Sequence, residues 1–154
     1  MPPPATERLT RAAVYALSAL LLAITWGVAA AGKLLSGGVP DWFTEQFGKT
    51  FLSSFPGLTA SFYSIALLEA LAGFAALASL LGGEFLRARA PAFLYAALLL
   101  SLLLFVQLNF GKQLLADFDG THDLFMYFAG ALVIFAAVRS LDPSRSTPEP
   151  STPR

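Results

Sequence analysis

Four apolar runs separated by short polar stretches set the plan of this chain. The first, Ala12–Ala31, has twenty residues without a charge and is flanked by Arg11 and Lys33. At 1.5 Å per residue it reaches about 30 Å, the depth of a bilayer's hydrocarbon core. The second, Phe62–Leu81, carries a single charge, Glu69. The third, Pro91–Leu108, opens on a proline whose missing N–H costs little at a helix start and has Gln107 near its end. The fourth, Leu124–Val138, is fifteen residues long and must borrow His122, Asp123 and Arg139 to span with little tilt. The pattern predicts an all-α fold, a transmembrane four-helix bundle over 12–139 with helices running up-down-up-down. Residues 1–11 and 140–154, rich in Pro, Ser and Thr, are expected to be disordered tails.

The stretch between the first two runs has a period of its own. Phe43, Phe47, Phe51 and Phe55 recur every fourth residue with Trp42 beside them, while Glu45, Gln46, Lys49 and Thr50 fall largely elsewhere. That spacing predicts an amphipathic interfacial helix over about 41–54, capped by Asp41 and stopped by Pro56-Gly57. It is expected in the outer membrane interface, aromatic face down over the bundle mouth. There it serves as a lipid anchor, as a lid, or as a docking face.

Composition narrows the function classes. Of 154 residues 56 % are hydrophobic and only 13 % charged, with a mean hydropathy of +0.65. A soluble domain carries about 25 % charged residues, so most of this surface is expected to meet lipid. The formal net charge is zero, which gives no electrostatic basis for nucleic-acid binding. There is no cysteine, which excludes disulfides, thiolate nucleophiles and iron–sulfur ligation, and the single histidine, His122, excludes a multi-His metal site.

Arg8, Arg11, Arg87, Arg89, Arg139, Arg145 and Arg154 fall on one side of the spans, and Lys33, Lys49 and Lys112 on the other. This asymmetry predicts that both termini are cytoplasmic in a bacterial inner membrane. Tyr15, Tyr63, Tyr95 and Tyr127 lie near span ends, as an interfacial belt requires. A rival reading makes the first run a cleavable leader, with Arg8 and Arg11 as its basic start and Val28–Ala31 as its cleavage site. The run is longer than a leader's apolar region and holds Trp26 and Gly27 near the supposed cut, which favours a span.

Helices in lipid associate through close packing of small residues. Ala16, Ala19, Ala23, Gly27 and Ala30 form such a stripe on the first span, and Ala66, Gly73 and Ala76 share a face with Glu69 on the second; the two stripes are expected to meet. A carboxylate at the depth of Glu69 costs on the order of 2.5–3.5 kcal/mol, so it must face the bundle with a partner or carry a proton. Lys33 is the charged candidate partner and Gln107 the neutral one. Gln107, Asn109, Lys112, Asp117, Asp119, His122 and Asp123 gather at the same outer end. Asp117–Asp123 has a faint look of a calcium loop but lacks its third alternating acid and its closing Glu. A turn at Asp119-Gly120 followed by a cap at Thr121 or Asp123 is the better expectation. The candidate binding residues are therefore Glu69, Lys33, Gln107, His122 and Trp42. They either pin helices together or line an outer polar pocket. No residue is a candidate for catalysis or for metal ligation.

The order of features resembles the DoxX family of small four-span bacterial membrane proteins. The resemblance rests on Gly27-Val-Ala-Ala-Ala-Gly-Lys33-Leu-Leu, on a loop with Pro40 and an aromatic pair, on Leu67-Leu-Glu69-Ala-Leu-Ala-Gly73, and on Leu124-Phe-Met-Tyr-Phe-Ala-Gly-Ala-Leu after the acidic turn. It covers roughly residues 12–138 and points to Lys33 and Glu69. It implies a non-catalytic membrane subunit or anchor of a redox-linked complex, handling quinone, sulfur or oxidative stress, with redox partner proteins. Related quinone–thiol enzymes use cysteines that this chain lacks, so any redox centre would sit in a partner and the chain itself would at most help bind a quinone. The alternative is a small-molecule or quinone-binding protein, or a minor transporter, with its pocket at Glu69 and Lys33.

Overall fold

The computed structural model describes residues 4–54 and 57–146, all helical or irregular. Its helices are α1 (Ala5–Leu35), α2 (Asp41–Phe47), α3 (Gly57–Leu81), α4 (Ala92–Leu114) and α5 (Phe118–Ser140), with short 3-10 turns at Phe51–Ser53, Glu84–Leu86 and Pro143–Ser146. α1, α3, α4 and α5 are each long and apolar enough to cross a membrane, and Leu17, Ile24, Val28, Phe74, Leu103 and Val133 point outward from them. Outward leucine, isoleucine and phenylalanine on every long helix are what a lipid solvent demands, and this is a multi-pass membrane protein.

α1 packs on α3, α3 on α4 and α4 on α5, while α5 touches α1 only thinly. Chain direction alternates, so one end of the bundle holds the start of α1 and the finish of α5 (the tail end). The opposite end carries the segment between α1 and α3 (the loop end). At the tail end the core is dense: Tyr15, Ala72, Ala76, Leu94, Leu98 and Val138 are shut off from solvent. The two small-residue stripes meet as expected. A Cβ on Gly73 would lie 2.9 Å from the backbone N of Gly27, so α1 and α3 approach as closely as a missing side chain permits. Several buried polar groups of the core are bonded. Trp26 Nε1 donates to Ser101 Oγ at 2.7 Å, and Ser101 Oγ donates in turn to the Ala97 carbonyl. Glu84 accepts from the backbone N–H of Phe93 and Leu94 at 3.0 and 3.1 Å, so a carboxylate nine residues upstream caps α4.

Several expectations need correction. The helices outrun the apolar runs. α1 starts at Ala5, because Ala-Thr-Glu-Arg-Leu continues the helical register and Glu7 suits its first turn; residues 5–11 are thus helix and not disordered tail. Beyond α5, Asp142 is buried and Pro143–Ser146 forms a turn; residues 1–3 and 147–154 lie outside the described residues. α5 has 23 residues, since Asp117 caps it by accepting from Gly120 N–H; Asp119-Gly120 and Thr121 are already helix. The interfacial helix is broken: α2 ends at Phe47, Gly48 closes it, and Thr50 starts a separate 3-10 turn. Its cap is Pro40 rather than Asp41, whose side chain makes no capping bond. Tyr15 and Tyr95 are not a lipid belt. Tyr15 is buried and donates to the Val138 carbonyl, and Tyr95 donates to Asp142, because the tail end offers both hydroxyls protein acceptors.

A cavity under the aromatic loop

The break after α2 decides where its aromatic side chains go. Phe43 and Phe47 turn inward onto Phe62 of α3, with ring centroids 4.7 Å apart within the pair and 5.3 Å from Phe43 to Phe62. Phe51, one period later, falls beyond the break and is exposed, as is Trp42. Phe55 lies outside the described residues. The segment between α1 and α3 is therefore clamped to the mouth of the bundle by two aromatic anchors.

Beneath it lies a cavity of about 550 Å³, reached by all four long helices and by α2. That volume is within the range of about 300–1,000 Å³ typical of small-molecule sites. Trp42, Phe43 and Phe47 form its roof, Ile65 and Leu108 its depth, and Tyr127 one side. Register explains the lining. Ser61 and Ile65 precede Glu69 by eight and four residues on α3, and Gln107, Gly111 and Leu115 follow one another by fours on α4. Gly111 leaves room in the wall: a Cβ there would meet only the Phe47 ring, at 3.5 Å.

Lys33 and Glu69 are brought together. Lys33 Nζ donates to Glu69 Oε1 at 2.8 Å and to Oε2 at 2.9 Å, joining α1 to α3. Glu69 is 2 % exposed while Lys33 keeps 24 % and lines the cavity, so the carboxylate is the hidden member and the ammonium the one facing the site. Gln107 is not the partner of Glu69. Its Nε2 donates to Ser64 Oγ at 2.6 Å, and Ser64 Oγ donates to the Ser61 carbonyl at 2.9 Å. Nearer the rim, Lys112 Nζ donates to Asp117 Oδ2 at 2.7 Å. That hydrogen bond, seconded by the Gly120 N–H, holds the Asp117 carboxyl below the usual carboxylate range.

Of the five candidate residues, Lys33, Gln107 and Trp42 line the cavity, and Glu69 backs it through Lys33. His122 does not belong to it: it sits exposed on the first turn of α5. Its neighbour Asp123 faces the cavity instead, because a one-residue step on a helix turns the side chain by about a third of a turn. Ser61 and Ser64 escaped the sequence reading. Their signal was positional, since both precede Glu69 near the mouth of the same span. No family model, no curated protein and no solved structure matches this chain. What it does must therefore be argued from the site.

The arrangement offers an apolar pocket with a few polar groups converging on it at the loop end of the bundle. No group of three or more His, Cys, Asp or Glu able to hold a metal ion exists among the described residues.

Proposed function

We propose that this protein binds a small amphipathic molecule in the loop-end cavity, with the apolar body against Ile65, Leu108 and Tyr127 and the polar head near Lys33 and Gln107. The observation that carries this reading is the cavity itself, which combines ligand-sized volume, aromatic roof and an ion-paired lysine in its wall. Support for a redox setting comes from the resemblance to DoxX-like proteins. In that setting the ligand would be a quinone, and electrons would pass to a partner protein that carries the redox centre. The basic residues at the tail end, Arg8, Arg11, Arg87, Arg89 and Arg139, favour that end as the cytoplasmic one in a bacterial inner membrane, which turns the cavity outward.

The test is native mass spectrometry of the protein released from its own membrane with bound lipids. A bound species of a few hundred daltons is expected on the wild type. It should be absent from Gly111→Leu, in which the new side chain takes up cavity space. A co-purifying protein chain with an empty cavity would favour the anchor role instead.

A further inference from the structure

Arg11 stands one residue ahead of the apolar run of α1, at the level where a bilayer carries its headgroups. An arginine at a span end ordinarily extends its charged head into water. Arg11 does not: it is only 9 % exposed. Nothing bonds its guanidinium. Nε is buried without an acceptor, and the two terminal nitrogens, which keep accessible surface, donate to no acceptor and form no ion pair among the described residues. An arginine is charged at any ordinary pH, so it cannot escape the cost of this burial by losing its proton.

The acidic side chains of the tail end do not answer it. Glu84 accepts from the Phe93 and Leu94 N–H groups, and Asp142 accepts from Tyr95 and Ser144. Glu7, one helical turn before Arg11, is exposed and makes no ion pair among the described residues. The other cations of this end are likewise unspent. Arg8 lies three residues before Arg11 on the same face of α1, and the turn at Glu84–Leu86, which packs on α1, leads into Arg87 and Arg89. All three are exposed and without an ion pair among the described residues.

We propose that Arg11 anchors the headgroup of an anionic phospholipid at the tail end of the bundle. A phosphodiester is the anion a membrane offers at this level, and its oxygens match the parallel N–H groups of a guanidinium. Arg8 and the exposed arginines of the same end add a positive field around it. A zwitterionic headgroup carries the same phosphate but brings a cation among these arginines, so the site selects by net charge. Leu9 and Leu86, both exposed at this end, offer apolar surface to the acyl chains. The site is separate from the loop-end cavity and does not depend on what that cavity holds.

The experiment titrates the full chain in a neutral detergent with phosphatidylglycerol or phosphatidylcholine of identical acyl chains, and reads bound lipid by native mass spectrometry. The anionic lipid is expected to bind about tenfold more tightly, as one charge-assisted hydrogen-bonded pair would provide. Arg11→Gln should bring the two lipids within about twofold of each other, chiefly by weakening phosphatidylglycerol. Arg11→Lys keeps the charge, loses the fork and should fall between. Lys49→Gln removes the same charge from an exposed position at the loop end and should keep the wild-type preference. Equal binding of the two lipids to the wild type overturns the proposal, as does an Arg11→Gln chain that keeps the full preference or loses no more of it than Lys49→Gln does. Displacement of the lipid by excess inorganic phosphate makes this a site for a free anion and overturns the lipid as its occupant. An Arg11→Gln chain that no longer folds in detergent also overturns it, since a side chain without a partner holds nothing in place.

Discussion

The two ends of the bundle are built from the same four helices and solve opposite problems. From mid-bundle to the tail end, α1 and α3 meet through Gly73 on the Gly27 backbone, Trp26 and Tyr15 find buried acceptors, and Glu84 caps α4. At the loop end the helices part, a salt bridge replaces small-residue contact, and two phenylalanines from the connecting segment roof the gap. In lipid no hydrophobic force closes a gap between helices, so close contact of backbones does that work. Where that contact gives way to the Lys33–Glu69 pair and the aromatic roof, space remains.

The comparison can be broken most severely at the ion pair. Lys33→Met strands a carboxylate that is 2 % exposed, and is expected to cost about 3–5 kcal/mol, read as the shift in unfolding midpoint in mixed detergent. Lys33→Met combined with Glu69→Leu should recover most of that loss, because an apolar pair replaces the ion pair without leaving a charge behind. A double variant no more stable than the single one would show that the pair is not the link between α1 and α3.

Next comes the close approach at mid-bundle. Gly73→Ala places a methyl 2.9 Å from a backbone nitrogen that cannot yield, and about 1–3 kcal/mol should be lost. Gly27→Ala meets nothing within 4 Å and should be neutral or gain about 0.5–1 kcal/mol from helix propensity. Equal effects of the two substitutions would contradict the geometry of the contact. A smaller loss, about 1 kcal/mol, is expected for Glu84→Ala, with faster amide exchange confined to the first turn of α4.

The smallest effect concerns pH at the rim. The Asp117 carboxyl is held below its ordinary value in the folded protein, so the unfolded chain binds its proton first as pH falls. The Lys112–Asp117 contribution is then complete above the unfolded value of about 3.9 and fades as pH drops through the lower folded value. Asp117→Asn should remove that part of the acid dependence and leave stability above pH 5 nearly flat. A wild-type acid limb unchanged by Asp117→Asn would contradict it.

How much of this could be seen in the sequence depends on which force placed each residue. The four spans were legible because apolar run length and bilayer thickness are tied by a fixed rise per residue. The Lys33–Glu69 pair was legible because a charge in a span must find a partner and only one cation was in reach. The ends were not. α1 begins seven residues ahead of its apolar run, and Asp117 rather than Thr121 or Asp123 caps α5, since capping follows local backbone geometry that hydropathy does not encode. The aromatic period in the loop was real for Phe43 and Phe47 and failed at Phe51, because Gly48 ends the helix before the period completes. Gln107 was placed at the right end and offered as the neutral alternative to Lys33 as a partner of Glu69; in the folded bundle Lys33 takes that place and the Gln107 amide bonds Ser64 instead.

The absence of native cysteine allows the contrast between the two ends to be measured on one helix. Ser61→Cys and Ser79→Cys place the same nearly isosteric probe on α3, the first in the cavity wall and the second at 2 % exposure in the tail-end core. Each variant, reconstituted in lipid vesicles, is treated with a small methanethiosulfonate reagent, and labelling is followed by mass. The cysteine at position 61 should react readily and the one at 79 should resist until the protein is unfolded. Equal resistance at both positions, or ready labelling at 79 alone, would contradict a bundle that is closed at one end and hollow at the other.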